Sequence, residues 1–515
     1  GRVVRANYAD GSWETYRYNK NGDLVEARNQ DTALLLEHDS RRRLVKETLC
    51  SGIHGDKGHS VISSFDRNGN RRQIDSTLGF HQDNIYHKNG LLKEIHAQHD
   101  SLQQHKEAWK TSFSHNARGQ EIERSICGGL IAKRSYDLEG RIVNQSMYGP
   151  QNKRLQHSYY SWDVNAQLKS VFNGLTNGEI EYGYDAIGSL ASAKYEDGSM
   201  DYKLPDSLGN IFRDKYRKTR VYGPGGKLLK DQNWQYIYDK QGNLTFKTKS
   251  QRYGANPQAA KEPNRYALRG PTIRISSDAE YIKDVKSLTH QWQYGDWEYQ
   301  WAGNGMLREI RRPDGSCISY TYDALGRRTA KINHTSQKID RYIWDGNVLL
   351  HEWQYKLSER PQAVADKFGR LSLDRAEPVG PALISWIYEE GSPVPSAKLQ
   401  GDRRYSIISD YLDRPIQAYD EQGLLLWSAD YSIYGELRNL QGESNFIPFR
   451  QPGQYADPES ELYYNRFRYY DPAIGGYISQ DPIGLAGNNP TLYAYVHDSN
   501  SWVDVLGLME LFRSM

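Results

Sequence analysis

One phrase recurs along the chain and limits what it can fold into: an aromatic residue or His, then often Asp or Asn, two or three variable residues, Gly, and a short alternating segment. Copies begin as Tyr18-Asn-Lys-Asn-Gly22, Phe65-Asp-Arg-Asn-Gly69, Tyr136-Asp-Leu-Glu-Gly140, Tyr184-Asp-Ala-Ile-Gly188, Tyr238-Asp-Lys-Gln-Gly242, Tyr322-Asp-Ala-Leu-Gly326 and Tyr419-Asp-Glu-Gln-Gly423. Degenerate copies start at His38, Trp162, Trp301 and Trp344. Adjacent copies step by 22 residues from Trp162 to Tyr184, 21 from Trp301 to Tyr322 and 22 from Tyr322 to Trp344. A period in this range marks stacked structural units. Gly accepts positive φ and an Asx side chain bonds the nearby backbone, so each phrase predicts a hairpin turn. Two strands of about six residues plus two turns fill the period, so one repeat is one hairpin.

A lone hairpin cannot bury its face, so successive hairpins must pair edge to edge into a long sheet that coils because sheets twist. Counted with Gly and without Tyr, the apolar fraction is about 38%, below the usual 45–50%. The chain compensates with 39 Tyr, 12 Trp and 11 Phe, and its 66 Lys+Arg against 64 Asp+Glu leave a net charge near zero, which argues against disorder. These features predict an all-β protein, a long spiralling antiparallel sheet with Tyr and Trp stacked along one surface. A solid two-layer core along the whole chain is hard to supply from this composition; that the sheet encloses a space does not follow from the spacing alone.

The same balance of charge argues against a nucleic-acid binder driven by net charge. Cys50, Cys127 and Cys317 form neither a CxxC pair nor a disulfide framework. No apolar run approaches the roughly 20 residues needed to span a bilayer. The chain opens Gly1-Arg2-Val3-Val4 and is read as a fragment lacking its natural start. His96, His99 and His105 form an HxxHx5H cluster, but they stand in a strand-like alternation, so no metal is expected. Gly223-Pro-Gly-Gly-Lys227 lacks the spacing of a phosphate loop and reads as a repeat turn. No cofactor is implied. Repeats fill residues 1–355; 356–445 carry degenerate repeats with Pro361, Pro378, Pro381, Pro393 and Pro395; 446–508 form a terminal cap; 509–515 are a stub.

The cap carries the most specific motifs: Leu462-Tyr-Tyr-Asn-Arg-Phe-Arg-Tyr-Tyr-Asp-Pro472, Gly476-Tyr-Ile-Ser-Gln-Asp-Pro-Ile-Gly-Leu485 and Leu492-Tyr-Ala-Tyr495. They closely resemble the conserved core of bacterial RHS (YD-repeat) proteins. Upstream, Tyr388-Glu-Glu-Gly-Ser-Pro-Val-Pro-Ser-Ala-Lys-Leu399 and Asp430-Tyr-Ser-Ile-Tyr-Gly-Glu-Leu437 look like the same family's approach to it, and the repeats from Tyr18 onward resemble its YD array. The resemblance implies a hollow β-cocoon that encloses a toxic C-terminal polypeptide and cuts it free inside, as in type VI secretion effectors used in interbacterial competition and the BC shell of insecticidal toxin complexes. It further implies a secreted effector, made in the bacterial cytoplasm and delivered outside or into a target cell. Its implied partners are its own toxin segment, a secretion-system tip or adaptor, and an immunity protein.

In the family the cut follows the Leu of an Asp-Pro-x-Gly-Leu motif. The matching stretch is Asp504-Val-Leu-Gly-Leu508, which places the scissile bond at Leu508-Met509 and carries the family's autoprotease residues onto Arg468, Asp481 and Asp504. The chemistry agrees: peptide hydrolysis by carboxylates needs one ionised and one protonated, and two close acids are driven to differ. Asp504 reaches the bond only if the chain folds back, which Gly507 permits. Arg468 could hold an ionised Asp, stabilise developing oxyanion charge, or tie cap to shell as a buried ion pair. Val505 stands where the family has Pro, and Gly476 where it has Arg; loss of the Pro loosens the turn and predicts slower or lost cleavage. The rival reading is a noncatalytic YD-repeat scaffold or surface interaction protein. A carbohydrate-processing enzyme is weaker still, since nothing in the spacing of the acids favours it.

Overall fold

The computed structural model describes residues 1–51, 58–100, 108–249, 290–365, 367–368, 371–487, 489, 491–509 and 511–512. Among these, eighteen strands from Arg5–Asn7 to Met200–Tyr202 form a first sheet and sixteen from Val221–Tyr222 to Leu437–Gln441 form a second. Within each, every strand pairs antiparallel with its neighbour in sequence, so both are uncrossed meanders.

The recurring phrase explains the geometry of each turn. In Asp163, Asp323 and Asp410 one carboxylate oxygen accepts the backbone N–H groups two and four residues on, at 2.8–3.0 Å. The Gly three residues after the Asp has positive φ, as at Gly140 (93°) and Gly326 (77°). The strand register slips by one residue at the aromatic, as at Tyr136 and Tyr322. That aromatic then reaches back across the sheet. Tyr136, Tyr322 and Tyr431 donate their hydroxyls to the carbonyls of Glu121, Leu307 and Pro415 at 2.6–2.7 Å. Trp162 and Trp344 do the same with Nε1–H, to Ile142 and Arg328. A repeat position that alternates Tyr with Trp is therefore one that must fill space and also donate a hydrogen bond.

One feature differs from the reading of the sequence. The array is interrupted at residues 203–220, where Leu204–Pro205 and Ile211–Phe212 make a separate two-stranded ladder. Across the Pro-rich stretch Val348–Lys356 bonds to Ile384–Tyr388, and the second sheet continues.

The turn edge of the second sheet seats on the first. Gly303 N–H donates to Asp10, Tyr16 Oη to the Ala324 carbonyl, Asn29 Nδ2 to the Tyr322 carbonyl, and Arg71 pairs with Asp345 at 2.6 Å. Apolar side chains follow the same seam in separate clusters rather than one core: Ala27, Leu34 and Phe80 with Ala330, Ile339 and Trp353, then Ile142, Tyr160 and Leu168 with Tyr411 and Leu412. Residues 446–508 nest against both sheets. Ile447 and Phe449 join Trp386 and Trp427 of the second, and Val503 joins the cluster of Ile142 and Leu168 of the first. A cavity of about 820 Å³ remains, bordered by Leu44, Phe65 and Ile74 of the first sheet, Tyr388 of the second, and Val505 and Leu506 of the C-terminal segment.

Candidate functional site

A small four-stranded sheet, Tyr455–Asp457, Leu462–Asn465, Arg468–Asp471 and Gly476–Tyr477, builds the site. Asn465 pairs with Arg468 across a tight turn in which Arg466 takes positive φ (55°), and Tyr470 pairs with Tyr477. These pairings set Asn465, Arg468 and Tyr477 side by side. Asp481 opens the turn that follows, its Oδ1 accepting Ile483 N–H at 2.9 Å while Gly484 N–H bonds its carbonyl.

Arg468 is fully buried, and every donor it uses has an acceptor. Its Nη2 lies 2.9 Å from Asp481 Oδ2 and 3.1 Å from Asp504 Oδ2, so one nitrogen bridges the two acids. Its Nε donates to the Gly507 carbonyl at 2.5 Å and its Nη1 to the Leu492 carbonyl at 3.3 Å. The guanidinium stacks 3.7 Å from the centre of the Tyr477 ring. Burying Arg468 with its two acids this way is tolerated because each group is paired and hydrogen-bonded.

Asp504 meets the chain that follows it. Gly507 has φ of 71°, which turns the backbone so that Asp504 Oδ1 accepts Leu508 N–H at 2.8 Å and Met509 N–H at 3.2 Å. Gly507 also lies so close to the Asn465 carbonyl and Arg468 that a side chain there would clash. The carbonyl of Leu508 faces Gly487. A Cβ added to Gly487 would stand 2.1 Å from that oxygen and 3.1 Å from Asp481 Oδ2, so both oxygens lie against Gly487 and a side chain there would clash. The Leu508-Met509 peptide therefore has Asp504 on its N–H side and Asp481 on its carbonyl side. Burial pushes the Asp481 carboxyl above the usual carboxylate range against the pull of Arg468.

The structure thus brings Arg468, Asp481, Asp504, Leu508 and Met509 into one place. It also adds Asn465, Tyr477, Gly487 and Asn489, which the sequence reading did not single out. Asn465 and Tyr477 lie inside the quoted motifs, where buried tyrosines are common enough to hide one that bonds a carboxylate. Gly487 has no spacing signal, since its closeness to residue 508 arises only on folding. Val505, in place of Pro, sets its carbonyl against Gly453, where a Cβ would meet it at 2.1 Å. Gly476 lies against the Tyr493 carbonyl, with no room for a side chain directed that way.

The other candidates stand elsewhere. His96 bonds Glu94 at 3.1 Å on the strand Leu92–His99, where His99 points to the opposite face, and His105 lies outside the described residues. Among the described residues no cluster of three or more His, Cys, Asp or Glu could hold a metal. The Gly223–Lys227 turn presses on Thr491 and Leu492 of the C-terminal segment.

The sequence model of the Teneurin YD-shell family matches residues 213–492. The chain belongs to that family. Among curated relatives of this YD-shell is a probable deoxyribonuclease RhsB of Dickeya dadantii, 26% identical over 488 residues, covering 92% of the chain and 29% of the relative. A double-stranded DNA deaminase toxin A of Burkholderia cenocepacia is 27% identical over 533 residues, covering 96% and 32%. Toxin protein Tse5 of Pseudomonas aeruginosa is 26% identical over 542 residues, covering 96% and 37%. The YD-shell chain spans about a third of the length of these relatives. A crystal structure of TcdB2-TccC3-TEV shares its fold, with a TM-score of 0.62 at 17% identity over 99% of this chain and 27% of that one. No helix among the described residues is long and apolar enough to cross a membrane.

Proposed function

We propose that this YD-shell encloses a toxic C-terminal polypeptide of its own chain and releases it by cutting the Leu508-Met509 bond once. The observation that carries the reading is the grip of Asp504 Oδ1 on the N–H groups of both Leu508 and Met509, with Asp481 bordering the Leu508 carbonyl. Three named toxins or nucleases among the relatives support the cargo, and the cavity, which Leu511 beyond the bond lines together with residues of both sheets, supports an interior on the released side. Delivery as a secreted effector, a secretion-system tip or adaptor, and an immunity protein belong to the same proposal.

The hydrolysis uses water. Asp481, whose carboxyl burial pushes up, acts as the acid and donates to the Leu508 carbonyl oxygen as water attacks the carbonyl carbon. Asp504 takes the proton that the water loses and hands it to the Met509 nitrogen, 3.2 Å from Oδ1, as the C–N bond breaks. The new carboxyl group returns a proton to Asp481, so the acids finish as they began. Arg468 keeps the two acids together and holds the Gly507 carbonyl, which fixes the peptide for attack.

The test is the mass, on a denaturing gel, of a chain extended past Met515, in wild type and in Asp481→Asn. Cut wild type beside intact variant is expected. Equal amounts of uncut chain in both would defeat the reading and favour a noncatalytic scaffold, in which Arg468 and its acids are only a buried lock.

A further inference from the structure

Two buried side chains at the 508/509 peptide have no part in the hydrolysis written above. Asn465 and Tyr477 are almost fully buried, and they form a chain of hydrogen bonds ending on Asp504. Asn465 Nδ2 donates to Tyr477 Oη at 2.7 Å, and Tyr477 Oη donates to Asp504 Oδ2 at 2.9 Å. Asn465 Nδ2 also donates to the backbone carbonyl of Asp504 at 2.8 Å, holding the residue at both its main chain and, through Tyr477, its side chain.

The two acids are otherwise hard to tell apart. Arg468 offers the same Nη2 to each, at 2.9 and 3.1 Å, so it draws them together without distinguishing them. Asp481 has the Ile483 N–H and a long 3.4 Å contact from Asn489. With the shared guanidinium Asp481 has three donors, and Asp504 has four, adding two backbone N–H groups and the Tyr477 hydroxyl to it. Donors to a carboxylate favour its charged form. A carboxylate also rotates freely unless both oxygens are held, and Tyr477 fixes Oδ2 so that Oδ1 stays turned to the scissile N–H.

We propose that the Asn465–Tyr477 pair is a positioning device that makes Asp504, rather than Asp481, the base of the acid pair, and this rests on the self-cleavage reading. The environment is consistent with it. Burial, and next the charge of Asp504, drive the Tyr477 hydroxyl well above its ordinary value, so it stays a donor. Burial raises the Asp481 carboxyl, the direction that the acid's role requires.

Tyr477→Phe keeps the ring under Arg468 and deletes one O–H. Self-cleavage of the extended chain is followed against pH, with a denaturation midpoint beside it. The expected result is an acidic limb of the rate profile displaced upward by about one unit, equal to about tenfold in rate on that limb. A merely structural tyrosine lowers the midpoint and leaves the limb in place. Asn465→Ser, which removes the donor behind Tyr477 together with the bond to the Asp504 main-chain carbonyl and leaves the direct contacts of both carboxylates in place, is expected to move the limb the same way by less, and it decides the matter if the Phe variant does not fold. An unmoved limb in the folded variants, with Asp504→Asn uncut, overturns this proposal alone. An uncut wild type overturns the hydrolysis and this proposal together.

Discussion

The turn edges of the two sheets use one phrase and meet opposite surroundings. In the first sheet the residues just after the turn Asp project into solvent: Leu138 is 83% exposed, Val164 100% and Ile187, two after its Asp, 85%. In the second sheet Ala324, Tyr411, Leu412, Ile433 and Tyr434 occupy the same places and are buried. Tyr411 and Leu412 enter the cluster of Ile142, Tyr160 and Leu168, while Ile433 and Tyr434 enter that of Ile180, Leu190 and Tyr195. The hydrogen bonds inside the turns are the same in both, as Asp163 and Asp410 show. Turn geometry is thus a local property, and the energetic weight of a turn comes from what lies against it.

The largest test of that contrast pairs Asp410→Ala with Asp163→Ala. Asp410 also holds buried Arg414, at 2.7 Å, so its removal leaves a buried charge unpaired and is expected to cost about 3–5 kcal/mol in chemical denaturation. Asp163, on the open edge, loses only turn hydrogen bonds, about 0.5–1.5 kcal/mol. Similar losses for the two would break the comparison. Next, Leu412→Ala is expected to lower stability by about 2–5 kcal/mol. Val164→Ala, by contrast, should stay within about 0.5 kcal/mol.

The smallest effect is one of pH at the seam. Glu377 is held down to about 2: burial opposes its charge, but Arg341, His59 of the first sheet and Tyr355 outweigh it. A depressed carboxyl contributes stability that is complete above its unfolded value near 4.5 and is lost as pH falls toward about 2. Glu377→Gln should therefore flatten the acid limb of the stability curve in that window, and an unchanged slope would show that the seam does not open there. Asp39, on the exposed edge, is also held low, chiefly by the Arg43 backbone N–H, and Asp39→Asn should alter the same limb less.

Much of the site was written in the chain. Arg468 and Asp481 stand in the motifs that carry the family resemblance and Asp504 in a stretch that matches its cleavage motif except at Val505, and Gly507 signals the backbone turn that lets Asp504 meet its own downstream peptide. Gly487 carries no such signal, because its contact with Leu508 joins segments set by different strands. Tyr477 was legible as one aromatic among many, and only its bond to Asp504 sets it apart.

The sequence by itself determined the hairpin and its Asp-to-Gly turn, because these depend on φ preferences and hydrogen bonds within five residues or across one strand pair. The tertiary structure alone decided where the meander breaks, which turn edge is buried, and that Asp481 and Leu508 both lie against Gly487. The buried edge depends on surfaces hundreds of residues apart, such as Tyr16 against Ala324, and the site on separate turns of the C-terminal segment; no local pattern encodes the complementarity of either.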